Sequence, residues 1–159
     1  MSRIAIVLGI PCGSDYVLVD KDLGLGEPAM TFHATAIATL LALLLYFWMG
    51  TQVARTRQKV GILPPTMSGD PLLERTIRAH ENTLEWMPIF LPSLWLFAYY
   101  WSDMAAAITA AVWIVGRILY FRGYVAESNK RYPGFGIQAL ASAVLLFGAL
   151  GRAIWILAS

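Results

Sequence analysis

Long apolar runs alternate with short polar segments along this chain. Residues 31–53, 103–124 and 137–157 form three such runs, and residues 72–100 form a fourth whose first half is polar. Each is long enough for a helix to cross the roughly 30 Å hydrocarbon core of a bilayer. The pattern predicts an all-α integral membrane protein, a bundle of four transmembrane helices.

Basic residues are distributed unevenly among the three connecting segments. The first and third segments, with the helix ends beside them, contain many Lys and Arg residues, whereas the short second turn, Ser102-Asp103, contains none. The positive-inside rule therefore predicts that loops one and three are cytoplasmic and that both termini lie on the opposite side. The basic residues concerned are Arg55, Arg57, Lys59, Arg75, Arg78, Arg122, Lys130 and Arg131.

Residues 1–29 do not share the pattern of the rest of the chain. Their apolar stretch is shorter than ten residues, and a Gly- and Asp-containing segment follows it without an A-x-A cleavage site. We expect a flexible or docking extension there, ahead of a membrane domain at 30–159 with helices at about 31–53, 72–100, 103–124 and 137–157.

Composition narrows the possible functions. The chain has 159 residues, of which 58% are hydrophobic and 14% charged, with a mean hydropathy of +0.60. A soluble domain would have about a quarter charged residues. The net charge of +2 argues against a nucleic-acid partner. One cysteine and two isolated histidines give no internal disulfide and no recognisable metal site, so we expect no metal.

The polar half of the second helix contains the most informative residues. Arg78, Asn82 and Glu85 are spaced by four and three residues, so they share one face of a helix. A carboxylate in hydrocarbon costs at least a few kcal/mol unless it is paired or reaches a polar cavity. The spacing therefore predicts a polar pocket between helices at the membrane boundary.

The third helix has a matching polar face near the same end of the bundle. Arg117, Tyr120 and Tyr124 lie at intervals of three and four residues. Glu85 and Arg117 are the expected charge partners, and simple mutual neutralisation is one interpretation of that pair. The additional donors on both faces favour a second interpretation, a site for a zwitterionic ligand that bears a carboxylate.

Two motifs resemble those of the MAPEG family, the membrane-associated proteins in eicosanoid and glutathione metabolism. One is E-R-x-x-R-A-x-x-N-x-x-E at residues 74–85, and the other is R-x-x-Y-F-x-G-Y at residues 117–124. The Pro64-Pro65 loop and the basic residues before it also match. The resemblance covers roughly residues 31–157, with four spans in the same order.

The resemblance implies a homotrimer that binds glutathione between neighbouring subunits, in a site open to the cytoplasm. It implies that glutathione is the co-substrate and that a hydrophobic small molecule or lipid from the bilayer is the second substrate. It implies that Arg78, Asn82 and Glu85, with Tyr120, bind the γ-glutamyl end of glutathione, and that Arg57 and His80 reach toward the glycine end. It also implies that Tyr124 lines the pocket and that the catalytic Arg131 faces the thiol. We add Arg117 to the binding residues because it belongs to the same polar face.

Two positions depart from the family pattern. His80 occurs where Gln is often found, and Gln58 occurs where the leukotriene-synthase-like members have a second Arg. The chain therefore resembles the general glutathione transferase and peroxidase members more closely. We expect transfer of glutathione to hydrophobic electrophiles, or reduction of lipid hydroperoxides. The alternative is a non-catalytic accessory subunit of a larger membrane complex, docked through residues 1–29.

Overall fold

Four long helices build the protein in the computed structural model, which describes residues 31–159. They are α1 (His33–Val60), α2 (Pro71–Tyr100), α3 (Asp103–Ala126) and α4 (Tyr132–Ala158), with a short 3₁₀ helix at Ser128–Arg131 between α3 and α4. The predicted extension at 1–29 lies outside the described residues. The predicted all-α membrane bundle of four helices is confirmed.

Local sequence explains where the helices begin and end. Asp70 caps α2 by accepting hydrogen bonds from the backbone N–H groups of Leu72 and Leu73, at 2.8 and 3.1 Å. Ser102 caps α3 in the same way. Gly61 ends α1 in the left-handed conformation, with φ of 72°.

Two helices are longer than the hydrophobic pattern predicts. α1 continues to Val60 rather than ending near residue 53, because its basic segment consists largely of good helix formers that favour another two turns. α4 begins at Tyr132 rather than near residue 137. Pro133 is in its first turn, where the missing N–H has no helical partner to lose, so this proline begins a helix.

The N-terminus of α1 is capped from another helix. Phe32, which precedes α1, offers no side-chain hydrogen bond to it. The carboxylate of Asp103, at the start of α3, instead accepts hydrogen bonds from the backbone N–H groups of Ala34 and Thr35, at 3.0 and 2.7 Å. This contact joins α1 to α3 at the end of the bundle opposite the basic loops.

Small side chains bring the helices close together along the core. Phe90 of α2 stacks on Trp113 of α3, with ring centroids 3.9 Å apart and planes 7° apart. Several alanines belong to the same core cluster as this pair, and a second cluster lies toward the basic loops. The core alanines are Ala38, Ala42, Ala98, Ala106, Ala110 and Ala141, and the second cluster contains Met49, Ala79, Tyr120 and Phe121.

The outer surface of the bundle is suited to lipid. Within residues 31–159, α1, α3 and the Ser128–Ala158 segment are long and apolar enough to cross a membrane. α2 has 30 residues, but charged side chains occupy its first half. Large apolar side chains point outward from α1 and α4, including Ile37, Leu40, Leu44, Phe47, Leu140, Phe147 and Leu150.

Candidate functional site

The polar face of α2 forms a connected network. Arg78 Nη1 donates to Glu85 Oε1 at 2.9 Å, and Asn82 Nδ2 donates to Glu85 Oε2 at 2.9 Å. The side chains of Arg78 and Glu85 are 53% and 50% exposed. The two oxygens of one carboxylate are therefore held by different donors on the outer surface of the subunit, still accessible to a ligand.

Arg117 extends this network into the protein interior. Its side chain is fully buried on α3, where Nη2 donates to the backbone oxygen of Asn82 at 2.6 Å and Nη1 donates to Asn82 Oδ1 at 3.2 Å. The guanidinium also lies 4.9 Å from the ring centroid of Tyr120 and 5.5 Å from that of Trp113. Arg117 thus fixes the Asn82 amide so that its nitrogen points toward Glu85.

The expected direct ion pair between Glu85 and Arg117 is wrong. Asn82 lies between them, bonded to Arg117 through both of its oxygens and to Glu85 through its amide nitrogen. Glu85 pairs with Arg78 instead. The physical reason is depth, because Arg117 points into the bundle whereas Glu85 points out of it.

A pocket of about 410 Å³ adjoins this network at the end of the bundle near the basic loops. Arg78 and Tyr124 are the two predicted site residues that line it. Arg75 holds one wall in place, because its Nε donates to the backbone oxygen of Val125 at 3.1 Å. The full lining consists of Pro71, Glu74, Arg75, Arg78, Tyr124 and Ser128.

Arg131 lies beside Tyr124, one of the residues that line this pocket. Its guanidinium is 5.0 Å from the ring centroid of Tyr124 and 5.4 Å from that of Tyr132. The 3₁₀ helix at Ser128–Arg131 turns the chain back after α3, which returns Arg131 to the level of Tyr124. Tyr124 in turn lies 5.7 Å from Tyr120, centroid to centroid.

Two predicted site residues lie elsewhere in the subunit. His80 stacks on Tyr46 of α1, with centroids 4.3 Å apart and planes 10° apart, and Arg57 Nη1 donates to the backbone oxygen of Thr66 at 2.6 Å. At about 100° per residue, His80 points about 200° away from Arg78 around α2. Within one copy of the chain, His80 therefore lies on the opposite side of α2 from Arg78.

Sequence reasoning missed several residues around the pocket. Glu81 lies 3.6 Å from Arg78 through an i,i+3 contact that helical spacing could have indicated. Arg75 contributes to the topology prediction and to the first motif but has no predicted site role, although it lies three residues before Arg78. Ser128 had no signal, because it follows the end of α3, where helical periodicity gives no information.

The fold and this network define an integral membrane helical bundle with a polar site at one end. Comparison with known proteins assigns it to a family: residues 35–151 match the MAPEG family model, and the chain belongs to that family.

Relatives cover most of the chain. It is 45% identical over 120 residues to an uncharacterised protein of Synechocystis sp., covering 76% of this chain and 88% of the relative. It is 37% identical over 119 residues to human microsomal glutathione S-transferase 2, covering 74% and 81%. It is 36% identical over 111 residues to leukotriene C4 synthase of Cavia porcellus, covering 70% and 74%.

Proposed function

We propose that this protein is a glutathione-dependent membrane transferase that acts on hydrophobic electrophiles, with lipid hydroperoxides as a further substrate class. The observation that carries the proposal is the linked set of Arg78, Asn82 and Glu85 beside a pocket that Tyr124 lines, with the Arg131 guanidinium 5.0 Å from the centroid of the Tyr124 ring. The names of two relatives, a glutathione S-transferase and a leukotriene C4 synthase, support the same chemistry.

The γ-glutamyl end of glutathione matches the exposed ion pair. It has an α-ammonium for Glu85 and an α-carboxylate for Arg78, whose side chains are about half exposed. An exposed ion pair contributes only about 0–1 kcal/mol, so a zwitterion can insert between its members at little cost. Asn82 then keeps Glu85 oriented, because Arg117 holds its amide from the interior side.

A shared site between subunits reconciles the two groups of site residues. One side of α2 carries Arg78, Asn82 and Glu85, whereas His80 lies on the other side and points toward α1. One ligand cannot contact both groups within one copy of the chain. In a homotrimer, the Arg78 face of one subunit meets the α1–α2 edge of the next, so that Arg57 and His80 reach the glycine carboxylate of the same glutathione.

Arg131 provides positive charge for the thiol. The thiolate is the nucleophile, and a nearby guanidinium stabilises it relative to the thiol. The thiol proton passes to solvent as the thiolate forms. The thiolate then attacks the electrophilic carbon of the second substrate and forms the thioether bond, while the bond from that carbon to its leaving group, or the ring or π bond of an epoxide or activated alkene, breaks. The electron pair of the broken bond leaves with the departing group or stays on the substrate, which then takes a proton from solvent. The apolar substrate arrives from the bilayer, and glutathione arrives from the cytoplasm through the end of the bundle that has the basic loops.

The test is calorimetric titration of glutathione into the detergent-purified full chain, followed by turnover with a model hydrophobic electrophile. We expect saturable binding with a defined number of glutathione molecules per trimer, and conjugation above the uncatalysed rate. Binding without turnover, together with stable copurification in a larger complex, would instead support an accessory subunit. Absence of binding by a folded trimer would refute the proposal.

A further inference from the structure

Five buried polar atoms on α3 and α4 have no hydrogen-bond partner among the described residues. They are Trp113 Nε1, Arg117 Nε, Gln138 Nε2, Gln138 Oε1 and Ser142 Oγ. All four residues are buried, with at most 2% of their surface exposed. An unpaired buried polar group destabilises the folded state, so five of them together require a physical explanation.

Helix packing brings the four residues that carry these atoms to adjacent levels of the bundle. A Cβ on Gly116 would lie 2.7 Å from the backbone nitrogen of Gln138, so Gly116 and Gln138 face each other across the interface. A Cβ on Gly134 would collide with the backbone of Tyr120. Together the two contacts show that α3 and α4 run antiparallel, because the later residue on α3 meets the earlier residue on α4. Gln138 therefore lies level with Gly116 and Arg117, and Ser142, one turn further along α4, lies level with Trp113.

The five atoms are chemically complementary to water. Trp113 Nε1, Arg117 Nε and Gln138 Nε2 are donors, Gln138 Oε1 is an acceptor, and the Ser142 hydroxyl is both. A water molecule donates two hydrogen bonds and accepts two, and buried waters typically make about three hydrogen bonds to such groups. We propose that ordered water binds between α3 and α4 and joins Gln138 to Arg117 Nε.

The water site makes Gln138 a positioning residue for the polar network. Arg117 holds Asn82 through Nη1 and Nη2, and Asn82 holds Glu85. Water bound to Nε fixes the remaining edge of the guanidinium and so restrains the whole connection from α4 to the surface of α2. This consequence for the ligand rests on the proposed glutathione function, whereas the water site itself does not.

The first test needs no glutathione. Gln138→Met replaces both amide atoms by apolar atoms of similar volume. With water bound, the substitution deprives Arg117 and Ser142 of a partner, and we expect a lower melting temperature for the full chain in detergent. A dry interface predicts the opposite, a higher melting temperature, because two unpaired polar atoms are removed. Ser93→Ala, which removes a buried hydroxyl on α2, serves as the control for loss of buried polarity.

A high-resolution structure of the purified protein provides the direct observation. We expect density for at least one water within hydrogen-bond distance of both Gln138 and Arg117 Nε. A direct Gln138–Arg117 contact without water, or an unchanged or raised melting temperature in Gln138→Met, would overturn the proposal.

A double-mutant cycle tests the link to the ligand site. We expect Gln138→Met to weaken glutathione affinity about fivefold to tenfold in the wild-type background and less than about twofold in an Asn82→Ala background, since contacting networks couple on this scale. Equal effects in both backgrounds would overturn the positioning role. Failure of the wild-type chain to bind glutathione would refute the proposed function but leave the melting and structural tests of the water site intact.

Discussion

At the scale of single residues, the arrangement around Asn82 separates a buried cation from an exposed carboxylate. Arg117 is stabilised by neutral groups, namely the two oxygens of Asn82 and the faces of Trp113 and Tyr120. A desolvated cation–π contact contributes about 2 kcal/mol. Because Arg117 does not form an ion pair with Glu85, that carboxylate remains accessible to a ligand at the surface.

We expect Glu85→Gln and Arg78→Ala each to weaken glutathione binding by about 1–3 kcal/mol, the scale for loss of a charge-assisted partner. Titration calorimetry measures the change. Glu81→Gln is the matched control, because it also removes one negative charge beside Arg78, but at a carboxylate that lies farther from the guanidinium, at 3.6 Å. Equal losses at Glu81 and Glu85 would indicate a general effect of charge and would remove the specific role of Glu85.

Replacing Arg131 separates catalysis from binding. We expect Arg131→Ala to raise the pKa of the bound glutathione thiol and to lower the rate at neutral pH tenfold to a hundredfold, which corresponds to about 1.4–2.8 kcal/mol. The defect should shrink at high pH, where the thiolate forms without help, and Arg131→Lys should restore part of the rate. Glutathione affinity should change much less.

A pH–rate profile with a hydrophobic electrophile checks this expectation. Lys130→Ala is the control, since Lys130 is the neighbouring cation and pairs with Glu127 at 3.1 Å on the exposed loop. Superimposable profiles for the wild type and Arg131→Ala would exclude Arg131 from the mechanism.

At the scale of elements, the α3–α4 pair depends on glycine for its close approach. Gly134 faces the backbone of Tyr120, and a Cβ there would also lie 2.7 Å from the carbonyl oxygen of Gly116. Interhelical backbone contact of this kind favours small residues in membrane bundles. This close packing fixes the position of α3, and with it the positions of Tyr120 and Arg117 relative to the polar residues of α2.

Gly134→Ala should therefore separate the two helices, lower the melting temperature and reduce glutathione affinity together. Gly136→Ala is a matched control on the same helix, because nothing lies within 4 Å of a Cβ at Gly136. It should be neutral or slightly stabilising, since alanine favours a helix by up to about 1 kcal/mol over glycine. Thermal unfolding in detergent measures both variants, and similar behaviour of the two would contradict the proposed packing role.

At the scale of the whole molecule, one subunit exposes its charged network on the side of a bundle that otherwise suits lipid. Arg78 and Glu85 are about half exposed in the single chain, next to outward-facing Leu84 and Ile89. Charged groups facing hydrocarbon are costly. We propose that a neighbouring subunit covers this face, which would remove the cost and complete the binding site.

We expect native mass spectrometry from mild detergent to show three copies of the 17.6 kDa chain. Mixed trimers provide a stricter test of the shared site. Glu85→Gln and Arg57→Ala each reduce activity alone, but coexpression should restore part of it, because some interfaces then combine two intact halves. Monomers alone, or mixtures no more active than the separate variants, would contradict a shared site.

The sequence by itself determined the class of protein and predicted which residues share the polar face of α2. Apolar runs predicted four helices, and the spacing of Arg78, Asn82 and Glu85 predicted their shared face, because helical period and burial cost are local properties. Only the tertiary structure decided which side chains contact each other. It inserted Asn82 between Glu85 and Arg117, turned His80 toward Tyr46, and aligned Gln138 with Arg117, because these contacts depend on the depth and register of packed helices, which residue spacing does not encode.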